Sequence, residues 1–229
     1  TNNGSRARQL QKATKKVTYE KTGSELVALL KENEELNRNR PRFNQKLPSI
    51  NFSYGVYHIK DQNGYESLKA KKTKNRHGFF AMFNSLEAAE NFIARVTLEF
   101  QLCDKINGIS TDKKHCQKFE DAECQGACIS LEDPEHYNMR VYNAISKFSL
   151  GDKNVVIIDK GREIGENSAI LIKNGDFKGL GFYELNYQIN NIHILQSIIT
   201  PMNASENSTH IIESYLRKRR VLKIMELSN

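Results

Sequence analysis

The apolar positions of this chain change period along its length, and each period predicts a different element. Residues 5–16 read as a polar helix that ends before a short strand over 17–20. Thr22 and Glu25 then stand at capping-box spacing, and Leu26, Leu29, Leu30 and Leu36 make an apolar arc on a helix that stops before Pro41. From about residue 50 the pattern becomes alternating. It predicts strands over 52–59 and 65–71, joined by a turn at Asp61, Gln62, Asn63 and Gly64. Asn84, with Glu87 at capping-box spacing, opens a helix whose stripe is Leu86, Ala89, Ile93, Val96 and Phe100. That stripe reads as core packed on the hairpin.

Pro134 opens the next helix, with Tyr137, Val141, Ala144, Ile145 and Phe148 on its apolar or aromatic positions. Beyond Gly151 the character is β, over 155–159, 168–173 and 177–184, and Asn174-Gly175 is the clearest hairpin signal in the chain. A last helix over 208–220 precedes a short strand at 221–227. The expected fold class is α+β, divided at 1–48, 49–150 and 151–229. Composition agrees: 38% hydrophobic residues in 229 supply packed cores, and no apolar run reaches the roughly 18 residues of a membrane span. With Thr1 first and no charged, apolar leader, the expectation is a fragment or processed product of a cytoplasmic protein.

The formal charge of +7 is unevenly distributed. Lys69, Lys71, Lys72, Lys74 and Arg76 form an acid-free run, Arg38, Arg40 and Arg42 alternate, and Arg217, Lys218, Arg219 and Arg220 close the last helix. Such patches attract phosphate backbones by counterion release, which makes DNA the expected partner. The bland readings are a solvated loop for the first run and a complement to the helix dipole for the last.

All four cysteines, Cys103, Cys116, Cys124 and Cys128, fall in one stretch, spaced Cys-x12-Cys, Cys-x7-Cys and Cys-x3-Cys. Clustering of this kind suits a thiolate site for zinc or an iron-sulfur cluster, with Gly126 turning the chain between the last pair and His115 as a spare nitrogen ligand. Unliganded core thiols and two disulfides are the competing readings. On the second helix Glu25 and Glu32 flank the apolar arc while Glu34 and Glu35 point away. A carboxylate on such a margin suits a metal ion, although an exposed helix acid is the more ordinary state.

The stretch 22–44, TGSELVALLKENEELNRNRPRFN, resembles the end of the GIY-YIG nuclease domain as found in UvrC of bacterial nucleotide excision repair. There a helix of the form E-x-LLLE-N precedes K/R-x-x-P-x-Y-N, and this chain has Phe43 in place of the tyrosine. The cysteine window resembles the segment that follows that domain, and the whole chain looks closer still to bacterial proteins in which a DnaQ-type 3′-5′ exonuclease precedes a UvrC-like part. The resemblance implies Glu32 as a catalytic, metal-binding carboxylate for magnesium or manganese and Asn44 as an active-site residue. It also implies a 4Fe-4S cluster on Cys103, Cys116, Cys124 and Cys128, in a structural role. The GIY and YIG tyrosines and the helix arginine have no counterpart among these residues, so 1–48 reads as a truncated GIY-YIG remnant that does not cut DNA alone. Two function classes follow: part of a metal-dependent DNA endonuclease, or a non-catalytic DNA- or protein-binding module that positions a nuclease partner.

Overall fold

The computed structural model describes residues 3–42, 52–73, 78–110, 117–184, 192–203, 205–218 and 221–227. In chain order the elements begin with α1 (Asn3–Ala13), α2 (Glu25–Asn39), β1 (Tyr54–Lys60), β2 (Glu66–Lys72), β3 (Ala81–Phe83) and α3 (Leu86–Glu99). The short helices α4 (Asp104–Asn107) and α5 (Gln117–Glu120) and a 3-10 turn, Ala127–Ile129, lead to α6 (Pro134–Phe148). The remainder is β4 (Val155–Lys160), β5 (Glu166–Lys173), β6 (Asp176–Glu184), α7 (Ile192–Ser197), β7 (Thr200–Pro201), α8 (Glu206–Lys218) and β8 (Lys223–Glu226). The chain forms two compact units, one made of Thr1–Ser49, Asp152–Ile211 and Arg220–Asn229, the other of Ile50–Gly151 and Ile212–Arg219. Residues 1–49 share a unit with most of the segment after Gly151, while Ile212–Arg219 belongs with Ile50–Gly151.

The second unit is built on an antiparallel sheet of order β2-β1-β3. Its hairpin turn is set by Asp61, whose Oδ1 accepts from the backbone N–H of Asn63 and of Tyr65, each at 2.9 Å, the Asx geometry that favours such turns. α3 starts at Ser85, whose hydroxyl accepts from Ala88 N–H at 3.2 Å, and α6 starts at Asp133 followed by Pro134 at the first helical turn. Both helices bury most of the stripes read from the sequence: Ala89, Ile93 and Val96 of α3 and Tyr137, Val141 and Ala144 of α6 join Val56, Leu68 and Phe80 in one core, whereas Leu86, also read as core, is 40% exposed.

β2 is an edge strand, and the outward N–H groups of Glu66 and Leu68 are both closed off by buried asparagines. Asn138 Oδ1 accepts from Glu66 N–H at 2.7 Å while its Nδ2 donates to Gly64 O. Asn107 Oδ1 accepts from Leu68 N–H at 2.8 Å while its Nδ2 donates to Thr97 Oγ1. An exposed edge of this kind invites pairing with another chain; here side chains from α4 and α6 occupy it.

The first unit carries an antiparallel sheet of order β7-β6-β5-β4-β8. Asn174 and Gly175, at φ 52° and 74°, form the tight β5–β6 connection, since positive φ at both positions matches strand twist. One sheet face buries Val156, Ile158, Ala169 and Leu171 with Leu195. α2 is capped by Ser24, which accepts from Val27 N–H at 3.3 Å, and buries Leu26, Val27 and Leu30.

Several sequence expectations are corrected. The helix caps are Ser24 and Ser85, one or two residues beyond Thr22 and Asn84. Residues 17–20 form no strand: Val17 and Tyr19 are 84% and 90% exposed with no sheet neighbour, because β propensity needs a surface to pack against. β3 was not foreseen, being three residues long. On α2 the acids reverse: Glu32 is exposed and Glu34 is half-buried.

Candidate nucleic-acid interface

α2 turns one row of its polar side chains into a cavity of about 520 Å³ in the first unit, bordered by Lys31, Glu34, Glu35, Arg38, Arg162 and Phe182 among others. The row follows from spacing, since positions three, four and seven apart share a helix face. Arg162 holds Glu166 through two side-chain bonds, Nε to Oε2 at 3.0 Å and Nη2 to Oε1 at 2.6 Å, and its guanidinium lies 4.2 Å from the Phe182 ring centroid. The hydrogen bond from Arg162 holds the Glu166 carboxyl below the usual range. The same bond raises Arg162. Lys31 lies over the same ring at 5.7 Å and pairs with Glu20. Glu34 accepts from Asn203 N–H at 3.2 Å, and Asn33 donates to Ser205 and Ser208. Cations and carboxylates alternate around this cavity, so its charge is balanced rather than strongly basic.

Glu32 is exposed and is not one of the residues bordering the cavity. Its expected companion Asn44 lies outside the described residues. Sequence reading missed Arg162 and Phe182, and no local signal marks them: they border the cavity with α2 only because the β4–β5 connection and β6 come beside it in the fold.

In the second unit the cysteine segment is partly core. Cys103 is 2% exposed, precedes α4 and shares the apolar cluster with Ala127, and Cys128 packs against that cluster. Cys103 N–H donates to Tyr137 Oη at 3.4 Å, and burial pushes the Tyr137 phenol well above its usual range. Gly126 takes φ 81°, as its place between the last two cysteines suggested, and a Cβ there would press on the Phe119 ring at 3.0 Å. Cys103, Cys124 and Cys128 form no disulfide. Among the described residues no group of three or more His, Cys, Asp or Glu is disposed to hold a metal ion. Cys116 and His115 lie outside those residues. The described thiols by themselves do not make up a cluster's ligand set.

The basic positions divide sharply. Arg38, Arg40 and Arg42 are exposed, Arg38 beside Glu35 at 3.4 Å and Arg40 as the left-handed cap of α2. Lys71 and Lys72 are exposed, whereas Lys69 is half-buried with Nζ donating to Ile106 O at 3.0 Å. Burial, and then the charge of Lys71, pull the Lys69 ammonium below its usual range. Lys74, Arg76, Arg219 and Arg220 are outside the described residues. Arg217, read as surface charge at the end of α8, is buried: Nη2 donates to Met82 O at 2.9 Å and the guanidinium lies 4.8 Å from the Phe83 centroid. A long side chain at a helix end satisfies a buried carbonyl here in preference to water.

Residues 54–147, from the first residue of β1 to the penultimate residue of α6, match the UvrC/Cho excinuclease middle domain. The chain is UvrC-like. It is 25% identical over 199 residues to UvrABC system protein C of Legionella pneumophila strain Lens, covering 85% of this chain and 31% of that protein. It is 26% identical over 127 residues to the Methanosarcina barkeri protein of the same name, covering 55% and 23%. With Oenococcus oeni UvrABC system protein C the identity is 27% over 141 residues, covering 60% and 22%. The UvrC-like chain thus spans about a third or less of these relatives. No solved structure matches it. These similarities carry the UvrC part of the sequence resemblance and give no support to the DnaQ-type fusion. No helix among the described residues is long and apolar enough to cross a membrane.

Proposed function

We propose that this UvrC-like chain is part of a DNA endonuclease of nucleotide excision repair, hydrolysing phosphodiester bonds with a divalent metal ion. The observation that carries the reading is the excinuclease middle-domain match across 54–147. Glu32 is the proposed metal carboxylate, Asn44 its active-site companion, and the exposed arginines Arg38, Arg40 and Arg42 follow on the same side of the sequence. A magnesium or manganese ion at a single carboxylate supplies Lewis-acid activation of phosphate and keeps open positions for water and phosphate oxygens. The test is Glu32→Gln in the protein reconstituted with the other UvrABC components: incision of a lesion-bearing duplex is lost while DNA binding persists. Unchanged incision overturns the assignment.

These 229 residues hold no counterpart of the GIY and YIG tyrosines, so the chain by itself leaves DNA uncut; cleavage by the purified chain that disappears in E32Q refutes this. The proposal extends to the cysteines, with a 4Fe-4S cluster or zinc on Cys103, Cys116, Cys124 and Cys128 anchoring the loop after α3. Anaerobically purified protein then shows broad visible absorption or stoichiometric zinc, and Cys124→Ser loses it. Protein with neither metal removes the site.

A second reading, a non-catalytic module that positions a nuclease partner on DNA, is favoured by one observation: Glu32 stands in solvent, apart from the cavity that α2 borders. Retained incision in E32Q supports this reading against the first.

A further inference from the structure

The hairpin of the second unit has two unlike faces. Cross-strand neighbours share a face, so the register Val56↔Ala70 and His58↔Leu68 places Tyr54, Val56 and Leu68 on the side of the core. The opposite face carries Gly55, Tyr57 and Ile59 from β1 and Ser67, Lys69 and Lys71 from β2, a set with two cations and no acid. Phe79 joins it, because its neighbour Phe80 is taken up by the core and the two rings Tyr57 and Phe79 meet edge-on at 6.1 Å and 89°.

Gly55 is what lets Tyr57 lie across this face. A Cβ at Gly55 would stand 3.0 Å from both the Tyr57 ring and Phe79 Cβ, so any side chain there would push the rings apart. Both rings are half-buried and Ile59 is 37% exposed. Met82, level with Gly55 and Lys71, and Ser67, level with Ile59, are both buried, so the positions of this face that solvent reaches are Tyr57, Ile59, Lys69 and Lys71. Lys69 and Lys71 recur two residues apart on one strand, about 6.6 Å, close to the spacing of successive phosphates in an extended strand. No carboxylate among the described residues pairs with Lys71; Lys69, depressed by burial first and then by the charge of Lys71, has one ammonium donor on Ile106 O and keeps two for a phosphate.

We infer that this face, with Tyr57 and Phe79 as stacking rings and Lys69 and Lys71 as phosphate contacts, binds an unpaired DNA strand. Aromatic rings on a sheet face beside a line of cations recognise bases whose π-faces are free, which a paired duplex withholds. The commitment to DNA rests on the repair reading above, whereas the preference for unpaired bases rests on the two rings.

The test uses the purified chain and three fluorescent probes of equal length: oligothymidine, an abasic strand and a duplex, read by anisotropy at fixed salt. Oligothymidine binds tightest, and Tyr57→Ala weakens it at least about five-fold while leaving the abasic strand and duplex unchanged. Tyr57→Phe retains stacking and binds as the parent does, which separates stacking from loss of fold. Lys71→Glu lowers affinity for all three probes and reduces the salt slope by about one. Because the chain contains no tryptophan, Tyr57→Trp reports directly, with fluorescence quenched by oligothymidine and not by the abasic strand. Equal binding of abasic and base-bearing strands, or duplex preferred with Tyr57→Ala silent, overturns the platform while leaving the repair reading intact. Failure of every probe to bind overturns both.

Discussion

Arg140 grips Glu132 with two parallel bonds, one between Nη2 and Oε2 at 3.0 Å and a shorter one between Nη1 and Oε1. The same guanidinium donates from Nε to Phe100 O and from Nη2 to Gln101 O, each at 3.1 Å. One side chain on α6 therefore fastens the C-terminal end of α3 to the segment that follows the cysteines.

The Glu132 carboxylate is 4% exposed, so removing Arg140 strands a buried charge. Arg140→Ala lowers the unfolding free energy by about 3–5 kcal/mol in chemical denaturation. Removing both charges with Arg140→Met and Glu132→Gln recovers part of the loss. A double variant no better than Arg140→Ala would show that the carbonyl contacts, not the stranded charge, set the cost.

Asn107 closes the β2 edge at Leu68. Asn107→Ala leaves the Leu68 N–H without its acceptor and Thr97 without its donor, at about 1–3 kcal/mol. Amide exchange resolved by residue shows Leu68 losing protection while Val56, in the central strand, keeps it. Uniform loss across the sheet would mean global destabilisation instead.

Gly23 meets the β4–β5 connection backbone to backbone. A Cβ there would sit 2.0 Å from Gly161 O, at a φ of 77°. Gly23→Ala costs at least about 2 kcal/mol, whereas Gly165→Ala, also at positive φ but with nothing within 4 Å, costs only about 1 kcal/mol of backbone strain. Thermal melts of the two variants check the order.

Arg162 and Glu166 make stability depend on acid. The Glu166 carboxyl is depressed in the folded chain by its bond from Arg162. The stabilisation is therefore complete above the unfolded carboxylate value and lost as pH falls through the folded one. Glu166→Gln lowers stability at neutral pH and flattens the acid limb of a stability–pH curve. Parallel curves for parent and variant would exclude the pair as a contributor.

Arg217 behaves oppositely. Burial, with some repulsion from Arg95, pushes its guanidinium down to about 10, against the attraction of Glu213, and Nη1 has no partner among the described residues. Arg217→Met keeps the aliphatic packing over Phe83 but leaves the Met82 carbonyl without its donor and the buried Glu213 without its cation, so stability falls by about 1–3 kcal/mol. Arg217→Ala, which loses the packing as well, falls further in the same denaturation series.

Much of the architecture was legible in one dimension where a local rule governs it. The α3 and α6 stripes, Pro134 at a helix start, Asn174-Gly175 at a tight turn and Gly126 at positive φ are each decided by a few neighbouring residues, and each stands where periodicity or turn chemistry put it. The errors share a cause. Residues 17–20 have strand-like composition, but a strand exists only if a partner pairs with it; Glu32 and Glu34 differ by burial that α2 cannot specify alone.

By itself the sequence determined most of the longer helical and extended segments, the position of most turns and the UvrC-like character of the central stretch, because these depend on periods and spacings of a few residues. The tertiary structure alone decided that Arg162 and Phe182 border the cavity with α2, that Arg217 is buried rather than part of a basic surface, and that Tyr57 and Phe79 share a face with Lys69 and Lys71. Those relations join residues through packing and strand register, and the free energy that fixes them is spread over contacts between positions far apart in the chain.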